Sequence, residues 1–209
     1  EMCIRDRLNV DTTDTLQVLG DTSCIATYRF ENNEDDKSGN YNGTGTAIQY
    51  AAGRYGQSAD FNGSTSAIRT SLNTGNNNMT FSAWVNLDAA SSGIYGMVVS
   101  GLSHYYTYLA VGQNGKVWLS NDQQVSGDAD NGYATEGTTV LSVGTWYHIV
   151  GSLSSTNGAK IYVNGVLEKT QSSRTTNAPS RSDISGIGSY IAANGTLSGQ
   201  FNGQIDQVR

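Results

Sequence analysis

The chain has 209 residues, a net charge of −6 at pH 7, only 14% charged residues, 25 Gly and one Pro. It carries no basic stripe to displace phosphate counterions, which excludes duplex nucleic acid as a partner. It also has no apolar run near the ~20 residues of a membrane span, which excludes membrane insertion of this sequence.

Residues 1–23 read as an N-terminal arm or linker whose EMCIRDR start shares no pattern with the rest of the chain. They lack the apolar run of a secretory signal, so export would need another segment or route. Cys3 and Cys24 either tie this arm to the first strand as a disulfide or remain thiols, because a pair of cysteines alone does not decide. CIATYRF (24–30) alternates so that Cys24, Ala26, Tyr28 and Phe30 share one strand face. Next come a turn-rich acidic stretch (31–46) and strand-like runs at 47–63, 67–72 and 79–87. In MTFSAWVNL, Phe81, Ala83, Val85 and Leu87 face one way and Trp84 the other. Runs at 97–102 and 106–112 lead into GKVWLSND (115–122), the second arm of a hairpin turning at Asn114-Gly115. Residues 123–140 have little pattern and read as a surface loop, or as a loop on the binding edge of a rigid β scaffold. TWYHIVGSL (145–153) carries large side chains on both faces and reads as a central strand. KIYVNGVLEKT (160–170) is a two-residue hairpin at Asn164-Gly165. ISGIGSYI (184–191) and GQIDQVR (203–209) complete the series, the last run ending inside its alternation as though a strand were truncated. A series of short strands without intervening helices predicts an all-β, two-sheet antiparallel sandwich over residues 24–209.

The ordered segments YRF, DKSGNYNGT, GRYGQSADFNGSTSAI, MTFSAWVNL, GTWYHIVGSL, AKIYVNGVLE, SGIG and FNGQIDQVR carry a family likeness. Over residues 24–209 the chain resembles the laminin-G-like jelly roll of the concanavalin A-like lectin/glucanase superfamily. The SCIATYRF opening and its DKSGNYNG turn are also similar to such domains in phage virion and tail proteins. The resemblance implies two antiparallel sheets, one of them concave, and a role in recognising glycans, glycoproteins or partner proteins. It implies a structural Ca²⁺ where the first and last strands meet, with Asp36, Glu31 and Asp206 as its ligands. It also implies a packing role for His148.

The residues themselves permit that chemistry. Ca²⁺ needs several converging oxygens, and the run Glu31-Asn32-Asn33-Glu34-Asp35-Asp36 supplies them, although not at EF-hand spacing. Asp122, Asp128, Asp130 and Glu136 read as loop acids rather than a second metal site. Sugars stack on exposed aromatic faces, and Trp118, Tyr105, Tyr106, Tyr108 and Tyr133 are the candidates. Trp84, Trp146 and Phe81 are assigned to the core, and His104 is a lone loop histidine. A glycosidase on this fold would carry acids at i and i+2 or i+4 of one strand, and Asp206 has no such partner. Neither a GxSxG elbow nor an HExxH pair is present. The sequence therefore points to a non-catalytic module that binds a glycan or glycoprotein, located extracellularly or on a virion surface. The alternative is a structural or adhesion domain contacting neighbouring chains of an assembly such as a phage virion or tail. A glycoside hydrolase on the same fold ranks after both.

Overall fold

The computed structural model describes residues 24–72, 78–89, 95–100, 107–121, 134–173, 185–192 and 194–209. Among them there is no α-helix. The first strands are β1 (Thr44–Thr46), β2 (Gln49–Ala52), β3 (Gln57–Asn62), β4 (Ala67–Thr70) and β5 (Met79–Leu87). Then come β6 (Tyr95–Ser100), β7 (Thr107–Gly112), β8 (Lys116–Asn121), β9 (Ala134–Val140) and β10 (Trp146–Ser154). The last are β11 (Gly158–Val163), β12 (Val166–Gln171), β13 (Ser185–Ile187), β14 (Tyr190–Ile191), β15 (Leu197–Ser198) and β16 (Asn202–Asp206).

They form two seven-stranded sheets, ordered β1-β4-β13-β6-β7-β8-β9 and β12-β11-β10-β5-β16-β3-β2, plus the small pair β14-β15. Every pairing is antiparallel, and the two large sheets face each other as the expected sandwich. Period-two alternation explains the packing, since each strand sends one face into a shared core. Phe81, Ala83, Val85 and Leu87 of β5 are buried, as are Ile149 and Leu153 of β10 and Ile161 and Val163 of β11. From the other sheet come Ile68, Leu109, Val111, Val117 and Leu119. β10 lies between β11 and β5, so the strand with large side chains on both faces is central as expected. The Asn164-Gly165 turn has φ of +50° and +80°, and Val163 pairs with Val166 across it.

Three segments differ from the sequence reading. Residues 24–30 do not form a regular strand: Tyr28 makes single bridges to Val208 and Asp36, and Phe30 breaks the extension with φ +57°. Their alternation is still obeyed, because Ala26, Tyr28 and Phe30 are all buried. Residues 134–140 of the presumed loop are strand β9, whose Thr- and Gly-rich sequence hides its pattern. Residues 184–191 are interrupted at Gly188 (φ +76°), where an added Cβ would overlap the Phe61 ring, so the chain turns out of the sheet into β14.

Candidate functional site

The β2–β3 connection (residues 53–56) projects from the second sheet over the end of β16. Its Gly53 N–H donates to the Gly56 carbonyl at 2.9 Å, closing a tight turn. Asp206, at the end of β16, lies beneath this turn with 0% exposure. Its Oδ2 accepts the Tyr55 N–H at 2.9 Å, while the buried Oδ1 has no hydrogen-bond partner. Glu31 reaches the same turn, its Oε2 accepting the Gln57 N–H at 3.1 Å. A Cβ on Gly56 (φ +65°) would overlap the Glu31 carboxylate, so glycine is required there by close approach as well as by conformation. Burial pushes the Asp206 carboxyl up to about 6; the Glu31 charge adds to this, and backbone hydrogen bonds from Tyr55, Gln207 and Arg54 oppose it.

The structure thus brings two of the three predicted cation ligands together. Asp36 serves its own turn instead. It is 3% exposed, with Oδ1 accepting the Thr27 N–H at 2.8 Å and Oδ2 accepting the Ser38 hydroxyl and the Tyr41 N–H. Among the described residues no three His, Cys, Asp or Glu side chains gather as a metal group. The Glu31–Asp206 pair nevertheless fits a hard cation: it offers a buried carboxylate oxygen lacking a donor beside a second carboxylate. Backbone or water oxygens would have to supply the remaining ligands.

Side-chain alternation also builds a mixed aromatic and polar face on the outside of the second sheet. Asp206 lies opposite Trp84 and Trp84 opposite His148 in register, and in the next row Gln204, Asn86 and Trp146 align. Trp84 and Trp146 are half-buried on this outer face, which corrects their assignment to the core; Phe81 alone of the three belongs there. The rings of Trp84 and His148 lie 5.2 Å apart, and Tyr55, 41% exposed, meets Trp84 edge-on at 5.9 Å. Arg54 lays its guanidinium over both rings, 4.8 Å from Trp84 and 5.2 Å from Tyr55. The Asn86 Oδ1 is buried without a partner, and the Gln204 amide donates to the Ala52 carbonyl and Ser58 hydroxyl. Burial, with the Arg209 charge adding to it, pushes His148 below its usual range and keeps the ring neutral near pH 7.

The predicted sugar platform is not open in the same way. Tyr108 and Trp118 do point away from the main core, but they are 1% and 6% exposed, packed in a second small cluster with Ala110 and Ala134. Trp118 Nε1–H donates to Glu136 Oε2 at 3.0 Å, and Glu136 also holds the Lys116 ammonium at 3.0 Å and the Asn114 amide at 2.7 Å. Burial alone would raise the Glu136 carboxyl, but hydrogen bonds from Asn114, Lys116 and Trp118 outweigh it and hold the group below its usual range. The polar neighbours of Trp118 in sequence do not mark an open face: Lys116 pairs with Glu136, the carboxylate that satisfies the buried indole. Tyr105, Tyr106, Tyr133, His104, Asp122, Asp128, Asp130 and Cys3 lie outside the described residues. Cys24 is a half-buried thiol, its sulfur 3.2 Å from the Thr27 hydroxyl.

A cavity of about 520 Å³ opens between the sheets at the end where Cys24, Met79, Leu153 and Arg209 meet. Its walls extend the apolar core through Phe81, Val99 and Ile187. No described helix is long and apolar enough to cross a membrane.

Two antiparallel sheets packed face to face, with polar and aromatic side chains on the outer face of one, define a lectin-type β-sandwich. The chain belongs to the concanavalin A-like lectin/glucanase superfamily, whose laminin-G family model matches residues 56–209. No curated protein sequence matches it significantly. Among solved structures it is similar to domain 4 of AbnA, a GH43 extracellular arabinanase from Geobacillus stearothermophilus, in complex with arabinotriose. That match has TM-score 0.65 and 22% identity, covering 88% of this chain and 89% of the other. It is also similar to the binding domain of Paraclostridial Mosquitocidal Protein 1 (TM-score 0.65, 16% identity, 87% of this chain and 47% of the other). A third similar structure is the receptor-binding domain of botulinum neurotoxin type G (TM-score 0.61, 16% identity, 90% of this chain and 47% of the other). The chain thus spans about half the length of these toxin chains, and at such identities the likeness shows the fold alone.

Proposed function

We propose that this domain is a non-catalytic recognition module that binds a glycan or glycoprotein outside a cell, through the outer face of the second sheet around Tyr55 and Trp84. One observation carries the reading: the exposed Tyr55 ring stands edge-on to Trp84 beside the exposed Arg54 guanidinium, pairing the apolar ring surface and the hydrogen-bond donor that sugar rings and their hydroxyls require. The arabinotriose complex and the binding-domain descriptions of proteins sharing the fold support it. A structural Ca²⁺ at Glu31 and Asp206 would pin the 53–56 turn that carries Arg54 and Tyr55. The two carboxylates do not make a hydrolase centre on this reading. A glycosidase acid must reach the scissile oxygen, whereas Asp206 is fully buried with one oxygen held by the turn.

The test is a glycan array in millimolar Ca²⁺, comparing the wild type with Tyr55→Ala and Trp84→Ala. Binding by the wild type with loss of most signal in both variants is expected. Undiminished binding in the variants would move the site elsewhere, and no wild-type binding to any glycan would remove the reading. A second reading, a structural or adhesion domain, rests on the exposed apolar side chains Val140, Val143, Val166 and Leu167. Concentration-dependent association that Leu167→Lys abolishes would favour it.

A further inference from the structure

Arg54 is an exposed cation on the outer face of the second sheet. In a chain with 18 acidic residues against 12 basic, Arg54 makes no ion pair among the described residues; the residue is exposed, and its guanidinium carbon lies over the Trp84 and Tyr55 rings, nearer to Trp84. A guanidinium held over an aromatic ring by cation–π attraction keeps its N–H donors available to a further partner. The outermost layer over Trp84 is therefore a planar cation rather than a bare ring. A bare ring suits the CH face of a neutral sugar, whereas a stacked guanidinium fork suits a planar carboxylate, which it can hold by two parallel charge-assisted hydrogen bonds. A second positive charge, Arg209, lies near enough to His148 to add to the lowering that burial causes. Of the nearby acids, Asp206 is buried beneath the turn, and Glu31 and Asp60 are half-buried, the first against the Gln57 N–H and the second across from Gln204, so Arg54 is the charged group exposed over Trp84.

We propose that the ligand of this face is an acidic saccharide carrying uronate carboxylates, and that Arg54 is the residue that selects it. The inference rests on the glycan-binding reading of the same face and adds the ligand's chemical class. The experiment is calorimetric titration of the full chain with tetragalacturonate, its methyl ester and arabinotriose. The ester keeps the carbohydrate skeleton but removes the charge. The acid should bind at least about tenfold more tightly than the ester, the range expected for hydrogen bonds to a charged group. Arg54→Gln should erase that difference, weakening binding of the acid far more than binding of the ester. Arg54→Lys, which retains charge without the fork, should keep only part of it. Thermal melting of each variant checks folding, and the Arg54 side chain is exposed enough for both replacements to leave the sandwich intact. Equal affinity for acid and ester, binding of arabinotriose alone, or an Arg54→Gln effect of equal size on acid and ester would each overturn the inference while leaving glycan binding in place. Binding of none of the three would overturn both.

Discussion

Glu136 shows how a single side chain can look like a loop acid in sequence and prove to be an organising group. One carboxylate satisfies the Trp118 indole, the Lys116 ammonium and the Asn114 amide, so its removal leaves a buried donor unpaired. Glu136→Ala should cost about 1–3 kcal/mol, the usual desolvation penalty of an orphaned buried group. Chemical denaturation reads this directly, and an unchanged midpoint would show that the network contributes nothing. The sign with pH comes from the depressed carboxyl. The contribution is fully present above the unfolded value near 4.5 and is lost as pH falls through the lower folded value, so the gap between wild type and Glu136→Ala should close in acid. At this scale the candidate site is only partly legible in the sequence. Glu31 and Asp206 are legible because family likeness places the acid after Phe30 beside the IDQV strand, and the fold does bring them to one turn. Arg54 and Tyr55 are not, because in GRYGQS they look like ordinary turn residues. Only the register of β16, β5 and β10 places Trp84 and His148 beneath them. Trp118 reads as exposed in sequence because alternation tells which way a side chain points but not whether that face is covered.

At the level of strands and turns, backbone chemistry decides more than propensity. Gly165 and Gly188 both have positive φ, yet an added Cβ at Gly165 meets open space while one at Gly188 collides with Phe61. Gly165→Ala should therefore cost about 1 kcal/mol for conformation alone. Gly188→Ala adds overpacking of about 1–3 kcal/mol and should shift the Phe61 ring resonances. Similar melting temperatures for the two variants would refute the close approach. The edge strands are joined between sheets by one side chain, Glu168 of β12, which accepts the Thr138 and Thr139 N–H groups of β9 at 2.8 and 3.1 Å and also the Thr139 hydroxyl. Glu168→Ala should accelerate hydrogen exchange at residues 138 and 139 with little effect on β10 or β5, because local opening needs only the edge contacts broken. Uniform acceleration through the domain would mean that the clip supports the whole sandwich. Strands with clean alternation or an Asn-Gly turn, such as β5, β11 and β12, are readable in sequence. β9 is not, because ATEGTTV has no strong apolar alternation and is held by pairing with β8 and by Glu168.

For the molecule as a whole, protons and a cation should compete for the Glu31–Asp206 pair, linking pH, metal and global stability. Without metal the raised Asp206 carboxyl makes the folded state bind a proton that the unfolded chain has already released. Stability should then fall as pH rises from about 4 through about 6 and level off above, opposite in sign to the Glu136 effect. A bound Ca²⁺ requires the ionised form and would reverse the trend by stabilising only the folded state. At a hundredfold excess over its dissociation constant it should add about 2.7 kcal/mol, which in a domain of this size raises the melting temperature by several degrees. That gain should be largest near pH 7.5 and shrink below pH 6, where protons win. Asp206→Asn removes the charge at constant shape, so it should abolish both the Ca²⁺ gain and the metal-free loss of stability between pH 4 and 6. Calorimetric melts of wild type and Asp206→Asn in chelator and in millimolar Ca²⁺, at pH 5, 6 and 7.5, measure both terms. If Ca²⁺ leaves every wild-type melt unchanged, the turn that carries Arg54 and Tyr55 is held by its hydrogen bonds alone. Recognition on this face should then survive chelator undiminished. If Ca²⁺ stabilises Asp206→Asn as much as wild type, the cation binds elsewhere on an acidic surface and Asp206 is not its ligand.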